Sequence, residues 1–181
     1  MPDPAWSHCL VVGGGGGLGS EITTRLSGMQ AGRVSVSRRD SSLDLNEPVD
    51  SAFNADLETA TDCSKLISTV VERSGPIDAL VVAIGAVHEY THFSEISEEG
   101  WAKDLWVNLG APFFLARAAM MAMKKSGKGG RIVLFSTESA RHGSGDYAIA
   151  YGAGKAGIEV AVRVLAKDGA RDGILVNAIS P

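Results

Sequence analysis

Five consecutive glycines, Gly13, Gly14, Gly15, Gly16 and Gly17, stand between an apolar run at 9–12 and a stretch at 18–29 that carries Leu18, Ile22 and Leu26 at helical spacing. A strand–loop–helix unit whose loop has no side chains can turn tightly and approach a ligand closely, and the open N–H groups at the helix start suit a pyrophosphate. With Gly19, the run satisfies both G-x-G-x-x-G (Gly14, Gly16, Gly19) and G-x-x-x-G-x-G (Gly13, Gly17, Gly19). A bare glycine run also describes a flexible linker. Its place after a buried strand and before an amphipathic helix argues for a dinucleotide-binding loop instead.

The rest of the chain alternates in the same way. Short β-branched runs at 33–37, around Phe53, and at 79–83, 131–135 and 174–178 are separated by helical periodicity at 58–74, 101–125 and 147–167. Strands separated by helices of this length imply crossover connections and a mostly parallel sheet covered on both faces, an α/β fold of three layers. A chain of this size buries roughly 70% of the surface it exposes unfolded, enough for a single domain over the whole length. Seventeen Lys and Arg against twenty-one Asp and Glu give a net charge of −4, which argues against nucleic acid as a partner. Cys9 and Cys63 lack C-x-x-C spacing and support neither a disulfide framework nor a thiolate zinc site, which favours the cytoplasm. Residues 1–8 do not read as a secretory signal. The most apolar window, 105–123, is broken by Asn108, Pro112 and Arg117, so no membrane span is expected.

After the second strand the sequence reads Ser37-Arg38-Arg39-Asp40. At this place a carboxylate meets a ribose 2′-hydroxyl, whereas a 2′-phosphate needs positive charge. Ser37 stands where the acid belongs and Arg38 follows, which favours NADP(H) over NAD(H). The other reading is a solvated turn in which Asp40 contacts the ribose. Tyr151 and Lys155, four apart in the 147–167 helix, share one face. A neighbouring ammonium favours phenolate and brings a group of ordinary pKa about 10 closer to acid–base work at neutral pH. Alone, Y-x-x-x-K is more often a packed tyrosine beside a surface lysine.

Context changes that weighting. Taken in order, the Gly13, Gly17, Gly19 loop, Asp56-Leu57, Ile77-Asp78-Ala79-Leu80-Val81, Trp101 with Val107-Asn108, Gly130-Arg131-Ile132-Val133, Tyr151 with Lys155, and Val176-Asn177-Ala178 resemble the short-chain dehydrogenase/reductase family over nearly the whole chain. The resemblance implies a Rossmann-like, doubly wound parallel sheet and a nicotinamide dinucleotide held by Gly13, Gly17, Leu18, Gly19, Ser37, Arg38, Asp56, Leu57 and Gly85. By the same resemblance Tyr151 is the general acid or base, Lys155 depresses its pKa and binds the nicotinamide ribose, and Asn108 holds a water that joins Lys155 to solvent. Asp56 meets the adenine amine, with a backbone contact from Leu57. In the family, the strand ending near Ser180 is followed by a nicotinamide-contacting loop, a substrate lid and a last strand, none encoded before Pro181. Weak turnover is therefore expected, with a homodimer through the 101–125 and 147–167 helices rather than a tetramer.

The departures from the family pattern carry expectations of their own. Val12 replaces a threonine, and Val82-Ala83-Ile84-Gly85 stands where the family has N-N-A-G, so strands one and four are expected to have exchanged a polar tie for apolar packing. The short stretch between Arg38 and Phe53 implies a shortened crossover and a more open adenine edge. In Phe135-Ser136-Thr137-Glu138-Ser139, motif alignment selects Thr137 as the hydroxyl that polarises the substrate carbonyl. The usual spacing back from Tyr151 lands on Glu138, which keeps Ser139 and Ser136 as alternatives.

His88-Glu89-Tyr90-Thr91-His92 spells H-E-x-x-H, the pattern that sets two zinc ligands and a base on one helical face. It follows Gly85 at the end of a strand, runs only a few residues before Ser94 and carries β-branched Thr91, so a substrate-side loop is the better reading and no metal is expected. The sequence points to an NADP(H)-dependent oxidoreductase that interconverts a small ketone or aldehyde, for example a 3-oxoacyl-type or cyclic ketone, and an alcohol. The alternatives are a catalytically silent dinucleotide-binding protein and, more remotely, a zinc hydrolase.

Overall fold

The computed structural model describes residues 6–29, 32–39, 49–143 and 145–181. Strand β1 (His8–Val12) runs through the glycine loop into helix α1 (Gly17–Gly28), followed by β2 (Arg33–Arg38), β3 (Ser51–Asn54), α2 (Ala60–Ser74) and β4 (Ala79–Val82). A continuous helical run comes next: α3 (Glu98–Leu105), a π-helical turn (Trp106–Gly110) and α4 (Ala111–Ser126). Strand β5 (Gly130–Phe135), the short α5 (Ser139–His142), α6 (Ile149–Gly169) and β6 (Ile174–Ile179) follow. The strands pair in parallel in the order β3-β2-β1-β4-β5-β6, the doubly wound α/β sheet that the alternation implied. The winding reverses between β1 and β4, and the crevice outside the carboxyl ends at such a reversal is where these sheets bind ligands.

Period-two alternation along β1 sorts its side chains to two cores. Leu10 and Val12 pack with Leu80, Val82, Ile132 and Leu134 beneath α2, α4 and α6. Cys9 and Val11 join Val34 and Val36 on the other face, against Ile22 and Leu26 of α1. Val12 and Val82 are register partners and both are buried, so the expected apolar join between the two strands is present. Helix α2 starts with a reciprocal cap: Asp62 N donates to Thr59 Oγ1 at 3.2 Å, and Thr59 N donates to the Asp62 carboxylate at 2.8 Å.

Several boundaries differ from the sequence reading. The long helix begins at Glu98 rather than at 101, because Ser97 Oγ accepts the Gly100 N–H and caps it, and the π turn interrupts it around Asn108. Helix α6 begins at Ile149, which leaves Tyr147 outside it. Leu18 is exposed, and of the three apolar positions only Ile22 and Leu26 pack against the core. The run Glu98–Ser126 is long and apolar enough, by length and composition alone, to cross a membrane despite its polar interruptions. Ala111, Leu115, Ala116, Ala119 and Met123 bury its apolar stripe against the sheet, as a core helix does. Asp40 and most of the expected short crossover lie outside the described residues.

Candidate active site

The glycine loop is shaped by the protein's own packing at three positions and left open at a fourth. Gly13 adopts φ 87°, the left-handed region, and a Cβ there would lie 2.8 Å from both Ala83 O and Ile84 Cγ2. A Cβ on Gly14 would overlap Val36, and one on Gly19 would overlap the Gly13 carbonyl. Nothing lies within 4 Å of the position a Gly17 side chain would take. No side chain caps α1 at Gly16. An uncapped helix N-terminus with free space in front of it is an anion cradle, so the residues present fit the pyrophosphate of a dinucleotide.

Ser37 corrects part of the sequence reading. Its side chain is buried, so it cannot face a ribose; instead its carbonyl accepts Gly13 N at 2.9 Å and Gly14 N at 3.1 Å and fixes the loop. Arg38, the last residue of β2, occupies the carboxyl edge of the sheet. The exposed Arg39 pairs with Asp56, Nε to Oδ1 at 3.1 Å, which brings the β2 and β3 ends together. The Leu57 carbonyl accepts Trp106 Nε1 at 2.6 Å, so a contact from Leu57 to an adenine would come from its N–H.

Tyr151 and Lys155 come from α6 and Asn108 from the π turn. Lys155 is buried, and its Nζ donates to Phe135 O at 3.1 Å and Ile84 O at 3.4 Å while lying 5.9 Å from the Tyr151 ring centroid. Burial pushes its ammonium down to about 8, because the charged form has lost water. Asn108 is fully buried in the π turn; its Nδ2 donates to Ala86 O at 2.6 Å and Asp104 O at 2.9 Å, and its Oδ1 accepts Ala86 N at 3.3 Å. A Cβ on Gly85 would lie 3.0 Å from both Asn108 Oδ1 and Lys155 Nζ, so that glycine is where the end of β4, the π turn and α6 meet. Gly154 and Gly157 make the approach possible, since side chains there would press on Asn108 and Leu109. Single π turns inside α-helices recur at functional sites.

The three candidate hydroxyls separate. Ser136 is buried, and its Oγ donates to Lys155 O at 3.2 Å and Glu159 Oε1 at 3.1 Å, tying β5 to α6. Ser139 lines a groove of about 440 Å³ with Asp146, Ile149 and Ala153, and neither Tyr151 nor Lys155 is among the described residues that line it. Thr137 stands half-buried just past the carboxyl end of β5.

The H-E-x-x-H spelling does not form a helical face. His88 Nδ1 bonds Asp104 Oδ1 at 2.9 Å, the Glu89 carboxylate accepts Ser97 N at 3.0 Å, and His92 Nδ1 pairs with Ser94 Oγ at 2.7 Å. Each of the three side chains is drawn to a different partner: Asp104 in α3, the N-cap Ser97, and Ser94. The buried Asp104, which holds both the backbone and the ring of His88, was not evident from sequence; its place four residues before Asn108 was the one available signal.

The family model for short chain dehydrogenases matches residues 7–181. The chain belongs to this family. An acetoacetyl-CoA reductase of Allochromatium vinosum is 32% identical to it, over 95% of this chain and 72% of that protein. A hydroxynaphthalene reductase of Aspergillus fumigatus is also 32% identical, over 95% of this chain and 64% of that protein. Among solved structures, a variant of the actinorhodin polyketide ketoreductase with NADPH matches with TM-score 0.87 and 30% identity, over 100% of this chain and 72% of that one. An NADH-dependent reductase with NAD matches with TM-score 0.90 at 23% identity, over 99% and 79%, and speaks for the fold alone. This short-chain dehydrogenase is thus an oxidoreductase of a family that binds NAD(P)(H) and acts on small molecules.

Proposed function

We propose that this short-chain dehydrogenase is an NADP(H)-dependent reductase that interconverts a ketone or aldehyde and an alcohol. The observation that carries this reading is the meeting of Lys155 and Asn108 at Gly85, with the Tyr151 ring centroid 5.9 Å from Lys155 Nζ. The nicotinamide cofactor, when bound, supplies the hydride for the carbonyl carbon. Gly13, Gly17, Leu18 and Gly19 hold the pyrophosphate, Arg38 with Arg39 favours a 2′-phosphate, and Asp56 with the Leu57 N–H receives the adenine. Tyr151 moves the proton at the substrate oxygen. Lys155, largely cationic at neutral pH, stands beside the Tyr151 ring and binds the ribose. Asn108 holds the Ala86 backbone by both its N–H and its carbonyl and so supports the floor beside Lys155. Thr137 orients the carbonyl, with Ser139 as the second candidate. The hydroxynaphthalene reductase and the polyketide ketoreductase among its relatives support a cyclic ketone as substrate.

The test is NADPH consumption with 2-tetralone and with an acetoacetyl thioester. Turnover is expected, and Tyr151→Phe lowers it by at least about 100-fold while cofactor affinity stays within about threefold. A Tyr151→Phe protein with full activity overturns the mechanism, and a protein that binds NADPH but turns over no carbonyl is the silent dinucleotide-binding alternative.

A further inference from the structure

The loop after β4 and the segment before α6 carry an aromatic cluster that the reaction chemistry does not use. The rings of Tyr90 and Tyr147 stack at 5.6 Å with 23° between their planes, and His92 stands edge-on to Tyr147 at 5.8 Å and 73°. Phe93 adjoins His92 at 4.3 Å, and its N–H donates to Asp146 O at 2.8 Å, which ties the two segments together. His92 is itself held by Ser94. Tyr90 is 75% exposed, Phe93 55% and Tyr147 48%, so three large rings stand in water as one patch. A patch of this kind in a soluble protein marks a binding surface, because exposed ring area is otherwise an unrecovered cost.

The position of the patch says which molecule meets it. The loop that carries Tyr90 and His92 passes Gly85, against Lys155 and Asn108, and is anchored on the way by His88 to Asp104. On the other side, Tyr147 precedes by two residues the helix whose third residue is Tyr151. Both ends of the cluster therefore lead to the proton-transferring pair. We propose that Tyr90, His92 and Tyr147 form a platform at the mouth of the active site that takes the ring system of a planar aromatic or polycyclic ketone. This rests on the reductase reading above and narrows its substrate class. Stacked π faces offer a flat partner an offset-stacked or edge-on contact that a saturated chain cannot match, and the two phenols and the imidazole give a polar rim suited to a hydroxylated ring.

Calorimetric titration of the full chain with 2-naphthol and with cyclohexanol, in the presence and absence of NADP+, tests the platform without requiring turnover. We expect 2-naphthol to bind at least about tenfold more tightly than cyclohexanol, and Tyr90→Leu and Tyr147→Leu each to reduce that ratio about three- to tenfold. Tyr90 is so exposed that Tyr90→Leu keeps the fold, which protects the test if Tyr147→Leu does not. An unchanged ratio in Tyr90→Leu overturns the proposal. So does concentration-dependent self-association that Tyr90→Leu abolishes in a protein that binds no 2-naphthol, since the patch would then belong to a second copy. Tyr90-dependent binding of 2-naphthol without turnover of 2-tetralone leaves the platform standing and removes the reductase reading, and turnover of 2-tetralone with an unchanged ratio does the reverse.

Discussion

Lys155 is a cation in a place that penalises cations, and its backbone partners offset only part of that penalty. With the folded value pushed down to about 8 and the unfolded value near 10.5, the unfolded chain holds the extra proton between these limits. Stability therefore rises with pH across that window, and the burial penalty is fully present below it. Relative to Lys155→Met, the wild-type unfolding free energy is expected to climb by about 3 kcal/mol between pH 8 and 10.5. Urea unfolding of both proteins at several pH values measures the difference; a flat difference contradicts the assignment. Arg38 supports a second prediction. NADPH should bind more tightly than NADH, and Arg38→Ala should shrink that preference at least about tenfold, because a guanidinium pairs a phosphate bidentately. Arg39→Ala should matter less, since Arg39 is exposed and already paired with Asp56. Fluorescence titration with the two cofactors decides, and equal affinities in the unmodified protein would sink the preference. At this scale the spacing put Tyr151 and Lys155 on one helical face, while their roles came from the family resemblance and not from the spacing. The burial of Ser37 was not, because which way a strand residue faces depends on what its sheet is packed against.

The glycine loop separates two reasons for having no side chain. Gly19 is required by the chain itself, as its Cβ would overlap the Gly13 carbonyl, whereas the space at Gly17 is empty in the protein alone. Gly19→Ala should therefore cost more than about 3 kcal/mol of stability or prevent folding. Gly17→Ala should shift the melting temperature by less than about 3 °C and weaken NADPH binding at least tenfold, roughly the loss of one close phosphate contact. Thermal unfolding paired with cofactor titration separates the two, and a Gly17→Ala protein with unchanged affinity would show that the phosphate does not approach there. Both glycine patterns fit the sequence equally well, and only the neighbours across the loop tell which glycines are held. Likewise the periodicity of the long helix was legible, but its π turn depends on Ala86 and Asp104 receiving the Asn108 side chain.

For the whole molecule, α4 and α6 present Met121, Val160 and Val164 to solvent, an apolar surface on the helices already expected to pair. We propose that they form a homodimer, and Val164→Glu should give a monomer by light scattering, because a carboxylate buried without a partner opposes association. A Val164→Glu protein of unchanged mass would place any interface elsewhere. What the sequence determined by itself is the alternation of strand and helix, the parallel doubly wound class and the glycine loop between β1 and α1, because these follow from periodicity and backbone freedom within short windows. The tertiary structure alone decided that Gly85 is the meeting point of Lys155 and Asn108, that Ser136 is turned into α6 while Thr137 stands at the edge, and that the H-E-x-x-H residues go separate ways. Each of these outcomes is set by partners many residues away, and such partners become neighbours only when six parallel strands align their carboxyl ends.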